Sequence, residues 1–239
     1  MHINWDFVRA HVMGQFRALR DFHHYSEAQL QEGHHTLRSE IASRGVSVPP
    51  NSSEQEVQGI LSEHWAEIDQ CDWQYGVTFS RLLRYAIVVL CFTLIESNLT
   101  RIAREIASRR SCNCSLSGKH AKTLVAEFQK TWTSAGLVWW DDHRWKQVDE
   151  LRELRHCLVH RHGVPKDDPA EEPNLRQLLQ RDAGVRLLST TDNMVDPDDV
   201  GAVVIEHCFC ESIIKDLTAL VREVFDRAGC FGPEFPVVK

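Results

Sequence analysis

Apolar residues recur at helical spacing from Trp5 to about Arg44, at Phe7, Val8, Val12, Phe16, Leu19 and Phe22, with Gly33 and Gly45 as interruptions. This pattern predicts one long helix or two. Gly45-Val46-Ser47-Val48-Pro49-Pro50-Asn51 then stops it, because consecutive prolines cannot continue a helix, and Ser52 or Ser53 followed by Glu56 has the form of a helix-start capping box. A second helical stretch over residues 54–71 precedes a third over about 75–108, which carries Leu82, Leu83, Ala86, Val89, Leu90, Leu94 and Leu99. The middle of the third is apolar all round, which predicts the central helix.

Arg109-Arg110-Ser111-Cys112-Asn113-Cys114-Ser115 reads as a polar loop, and Ser117-Gly118-Lys119-His120 leads into a helix ending near Gly136. Another helix is predicted over about 141–160, with Gly163 and Pro165 as its exit. After an acidic loop at 166–173 and a short helix at 175–180, the apolar runs 185–189 and 200–205 flank turn residues Asp192-Asn193 and Asp196-Pro197-Asp198, as in a small hairpin. An amphipathic helix over about 206–228, with Ile213, Ile214, Leu217, Leu220, Val221 and Val224, closes the chain. The predicted fold class is therefore all-α, a mainly helical bundle with a small β-hairpin before the last helix. There is no internal repeat.

Composition narrows the class further. Hydrophobic residues at 43% and charged residues at 26% over 239 positions belong to a globular chain with a full core. The longest apolar run, ten residues from Ala86 to Ile95, is about half of the ~20 that cross a bilayer, so a core helix and no membrane span is expected. Met1-His2-Ile3-Asn4-Trp5-Asp6 lacks the pattern of an export signal, and a cytoplasmic location is expected. The eight cysteines then read as reduced, mostly buried thiols. A net charge of -7 argues against a broad nucleic-acid-coating surface and confines any RNA contact to a local patch.

Cys112, Cys114, Cys208 and Cys210, with His120 and His207, do not have zinc-site spacing: structural sites use two intervening residues, and Cys208 and Cys210 sit about 200° apart on a helix. No metal and no cofactor are expected. His23-His24 and His34-His35 read as solvated helix surface, and Trp132, Trp139, Trp140 and Trp145 as a core or interface cluster. Asp141-Asp142 and Asp167-Asp168 read as solvated caps and loops.

The chemistry candidate is Arg155-His156-Cys157-Leu158-Val159-His160, inside Leu151-Arg152-Glu153-Leu154 and Arg161-His162-Gly163. An arginine followed after four residues by a histidine near a helix end resembles the signature of HEPN domains, in which four to six residues intervene. The family usually places a polar residue, often asparagine, straight after the arginine; here it is His156. Leu94-Ile95-Glu96-Ser97-Asn98-Leu99 is similar to the acidic position that many HEPN proteins carry on the facing helix. The resemblance covers about residues 75–225, which divides the chain into an N-terminal helical extension, 1–72, and a HEPN-like helical domain, 73–239.

The resemblance implies a metal-independent endoribonuclease of a defence or toxin system, with RNA as substrate, a homodimer and a regulatory protein as partners, and a cyclic phosphate as product. Within it, Arg155 would stabilise the phosphate, His160 would act as general acid or base, and Glu96 would orient one of them. Arg152, His156, Arg161 and His162 would bind substrate. An imidazole near neutral pKa and a permanent guanidinium are what metal-free RNA cleavage needs. Five residues of α-helix turn through about 500°, or about 140° net, so Arg155 and His160 share a face only if the last turn loosens toward Gly163. The alternative is a non-catalytic HEPN-like dimeric module binding a nucleotide, nucleic acid or protein. In that case both residues serve as helix-end cations favoured by the macrodipole. A third reading makes the first 70 residues a partner-binding arm on a scaffold.

Overall fold

The computed structural model describes residues 5–112, 124–181, 184–189 and 200–229. Its first helix, α1 (Trp5–Arg44), runs unbroken for 40 residues, so Gly33 is accommodated inside one helix. Val8, Val12, Phe16 and Leu19 form its buried stripe, and His23 and Glu27 continue the same stripe in steps of four. Farther along, Ile41 joins Ile68 and Cys71 in a separate small cluster flanked by Leu37 and Tyr75. The expected extension 1–72 thus divides in the fold: the first half of α1 belongs to the main core, and its second half forms a helical arm with α2 (Glu54–Asp72). Ser53 starts α2 with a complete capping box, its backbone N–H donating to Glu56 at 2.7 Å and its hydroxyl accepting from the Glu56 N–H at 3.3 Å.

No break separates α2 from α3 (Ser80–Arg110). A π-helical segment, Trp73–Phe79, joins them into one run from Glu54 to Arg110, and the domain boundary placed at residue 72 falls at the start of this segment. The segment crosses α1 at Gly33, where an added Cβ would lie 2.9 Å from Tyr75 Cε1. The run is long and apolar enough by composition to hold a bilayer span. In this fold Ile87, Val88, Cys91, Phe92 and Ile95 on its inward side are the centre of the core, against α1, α7 (His207–Gly229), α4 (Leu124–Ser134) and α5 (His143–Arg161).

The fold is all-α apart from a small hairpin ahead of the last helix. Strands β1 (Val185–Leu187) and β2 (Val203–Ile205) pair antiparallel, with Val185 opposite Ile205 and Leu187 opposite Val203. The turn residues between them and the 113–123 connection lie outside the described residues. Between α5 and the hairpin, a 3-10 turn (Pro169–Glu171) leads into α6 (Pro173–Gln180), which buries Leu175 and Leu178. The tryptophans form the expected cluster: Trp139 stacks on Trp145 at 4.8 Å, and Trp132, Trp140 and Phe128 close around them. The described cysteines are free, and burial pushes the Cys157 thiol up to about 11 and the Cys210 thiol up to about 12.

Asp142 begins α5 by accepting the Arg144 N–H at 2.9 Å, and the Arg144 guanidinium bridges Asp142 to Glu223 of α7. That guanidinium holds the Asp142 carboxyl down to about 2. A carboxylate whose pKa is depressed on folding contributes stability above its ordinary value and loses it as pH falls toward the folded value. Asp142→Ala is therefore expected to destabilise by about 2 kcal/mol at neutral pH, with the gap to the wild type narrowing below about pH 4, as read from urea unfolding across that range.

Candidate functional site at the end of α5

The last turn of α5 does not loosen. The helix is regular through Arg161, and His162 (φ 54) and Gly163 (φ 87) then turn left-handed, each donating its N–H to the Cys157 carbonyl. This Schellman-type closure satisfies the helix-end carbonyl and leaves the preceding turn intact. It is also covered from outside. A Cβ on Gly163 would lie 2.5 Å from the Tyr85 hydroxyl oxygen, that hydroxyl donates to the Val203 carbonyl, and the Val203 N–H donates to the Gly163 carbonyl at 2.8 Å. The expectation that unwinding brings Arg155 and His160 together is thus corrected: in one chain they remain on faces about 140° apart.

Their surroundings differ accordingly. Arg155 is half-buried, with its guanidinium carbon 5.7 Å from the centre of the Phe92 ring on α3. Its Nε is buried without a hydrogen-bond partner, and among the described residues no carboxylate pairs with it. His160 is exposed on the other side, its ring 4.7 Å from that of His156, one turn earlier. Partial desolvation, with His160 and Arg161 adding positive potential, lowers the pKa of His156 and favours its neutral form. His162 is exposed at the left-handed position.

The other cations of this helix are engaged. Arg152 reaches Glu153 at 3.4 Å, while Glu153 also accepts from Asn174 Nδ2 at 2.6 Å and the Leu175 N–H at 2.9 Å, capping α6. Arg161 pairs with buried Glu172, whose second oxygen accepts the Lys166 N–H at 3.0 Å. Of the arginines expected to make a basic cleft, Arg155 alone has no carboxylate partner among the described residues. Glu96 lies one turn beyond Phe92 on α3, half-buried, and among the described residues it bonds neither Arg155 nor His160. Beside this turn an open cleft of about 610 Å³ is lined by Arg161, Val164, Lys166, Asp168 and Glu171, a mixed rather than basic lining.

A second cluster was not expected. His23, read from sequence as solvated surface, is 0% exposed, because it takes the next step of four after Leu19 in the buried stripe of α1. It meets Glu27 and His207, and Glu27 in turn pairs with Arg84, at the junction of α1, α3 and α7. His34 is likewise half-buried, 2.7 Å from Asp72 and stacked on Tyr75. The available signal was the phase of Phe16, Leu19, His23 and Glu27, which keeps one helix face through all four.

Comparison with protein-family models, with curated proteins and with solved structures finds none that matches this chain. The functional reading therefore stands on the residues themselves.

Gly163→Ala, which combines a left-handed backbone with a collision at Tyr85, is expected to destabilise by about 2–4 kcal/mol. Part of that loss should disappear in a Tyr85→Phe background; strictly additive losses in a double-mutant cycle would show that the two positions do not press on each other.

Proposed function

We propose that this chain is a HEPN-type, metal-independent endoribonuclease of a defence or toxin system, working as a homodimer in which Arg155 of one copy acts with His160 of the other. The observation that carries the reading is Arg155 itself: a guanidinium held on an aromatic ring, with no carboxylate partner among the described residues, on a helix whose neighbouring arginines are neutralised. A permanent cation left uncompensated is suited to an anion, and RNA phosphate is the anion that an imidazole brought by a second copy can process. Because one intact helix separates Arg155 from His160, a second copy is needed to complete the pair. Exposed apolar side chains on the same side chains' helices, Leu82 (57%) and Leu90 (41%) of α3 and Val159 (43%) of α5, support self-association.

In the reaction, His160 accepts the proton of a ribose 2'-hydroxyl, the 2'-oxygen attacks phosphorus, and the bond to the 5'-oxygen breaks. The departing oxygen takes a proton from water, leaving a cyclic phosphate and a free 5'-hydroxyl, and His160 returns its proton to solvent. Arg155 neutralises the charge that builds on the non-bridging oxygens. His156, its neutral form favoured and its ring beside His160, and His162 contact the strand, while Arg152 and Arg161 shape the site through Glu153 and Glu172.

The alternative of a non-catalytic dimeric module that binds nucleic acid, a nucleotide or a regulatory protein is favoured by one observation: Glu96 engages neither motif residue within a chain. Cleavage of a labelled mixed RNA pool in excess chelator separates the two readings. Wild-type protein is expected to cut, and Arg155→Ala and His160→Ala to slow cutting by about 10²–10⁴-fold without change in melting. Tight RNA retention with no cutting would favour the binding module. Arg161→Ala should behave differently, losing about 3 kcal/mol of stability by leaving Glu172 buried and unpaired.

A further inference from the structure

Where α1 meets the start of α7, three histidines and two glutamates converge. His23 and Glu27 stand one turn apart on the buried stripe of α1, His207 opens α7 with Glu211 one turn on, and His24 flanks them. His23 is fully buried, yet neither Nδ1 nor Nε2 has a hydrogen-bond partner, and Nδ1 of His207 is buried and unpartnered as well. Buried imidazole nitrogens are normally satisfied, so three orphaned ones in a cluster that holds the Glu27 carboxylate mark a missing partner. The ligand atoms of His23, Glu27 and His207 lie within 4.8 Å of one another, as do those of His24, His207 and Glu211.

We propose that His23, Glu27 and His207, the last through Nδ1, bind a zinc-type divalent cation, with the fourth position held by water. Two imidazoles and a carboxylate suit zinc or cobalt rather than magnesium or calcium, which prefer all-oxygen sites. Closing the triad from its present spread to the about 3.3 Å between ligand atoms of a tetrahedral site needs a modest turn of His207, which is only half-buried.

The surrounding groups have the orientation that metal ligands require. His207 lies with Nδ1 3.7 Å from Glu27 and Nε2 3.3 Å from Glu211, which puts an outer carboxylate where carboxylate–histidine–metal arrangements have one. Arg84 holds Glu27 with Nε at 2.8 Å and Nη2 at 3.2 Å and is itself tied to the Ile205 carbonyl at 3.2 Å. A carboxylate has lone pairs for both the guanidinium and a metal. Burial, and after it the neighbouring His207, lowers the His23 pKa and keeps the ring neutral, the form that ligates. Glu27, Glu206 and Glu211 outnumber the nearby guanidiniums of Arg84 and Arg186, leaving net negative potential for a cation. The half-exposed His24, His207 and Glu211 open the site to solvent. Such a cation would pin α1 to α7 beside β2. It lies apart from Arg155: Arg84 and Phe92 are separated by eight residues of α3, roughly 12 Å.

Co²⁺ titration of the full chain after dialysis against chelator tests this, read by visible absorption and by displacement with Zn²⁺. About one equivalent per chain should bind, without an intense thiolate band, and Zn²⁺ should raise the thermal midpoint. Affinity should fall at least about tenfold in His207→Ala and in Glu27→Gln and be unchanged in Cys208→Ser. His207→Ala, at a half-exposed position, is the variant whose folding is checked first by its helical circular dichroism. Substoichiometric uptake by the wild type, uptake that survives in folded His207→Ala, or a thiolate band lost in Cys208→Ser would each overturn the assignment. RNA cleavage plays no part in the readout, so the nuclease reading and this one fail separately.

Discussion

The approach of Tyr85 to the backbone of Gly163 decides the geometry of everything around the end of α5. Only a residue without Cβ fits under the hydroxyl, and the same hydroxyl reaches the Val203 carbonyl while the Val203 N–H returns to Gly163. Three distant parts of the chain, α3, the end of α5 and β2, are thereby locked at one point. With the helix closed onto the Cys157 carbonyl, its last turn cannot unwind without breaking these bonds together. The separation of Arg155 from His160 is a consequence of that lock, and so is the requirement for a second copy if the two are to act on one phosphate.

Charge pairing distributes the remaining work of the helix. Arg144 ties its start to α7, Glu153 caps α6, and Glu172 holds Arg161 against the following loop. The first and last are ion pairs at least partly withdrawn from water, where breaking one partner is far more costly than the pair is stabilising. Among the described arginines of the motif, Arg155 is the exception, with no carboxylate partner. Arg155 is kept in place by dispersion and the quadrupole of Phe92 rather than by a carboxylate, which leaves its full charge available to a ligand.

Much of the fold was legible because it is periodic. The capping box at Ser53, the cap at Asp142, the exit at Gly163 and the hairpin before α7 follow from local rules that need only a few neighbouring residues. The joining of α2 to α3 was not legible, since the π-helical segment at Trp73–Phe79 depends on α1 crossing at Gly33, a contact 42 residues away in sequence. At the site, the motif was visible but its compensation was not: Arg161–Glu172 and Arg152–Glu153–Asn174 depend on where α6 returns. His23 was misread because histidine is polar, although its phase with Phe16 and Leu19 placed it inside; phase outweighs residue type when one helix face is buried.

The central claim is that Arg155 and His160 act across two copies of the chain. It is tested most directly by mixing Arg155→Ala with His160→Ala, each inactive alone, under conditions that allow subunits to exchange. A site shared between copies is expected to recover up to about half of the wild-type cleavage in the mixed dimer, because one of its two composite sites is then intact. A mixture that exchanges subunits and remains inactive would contradict the account.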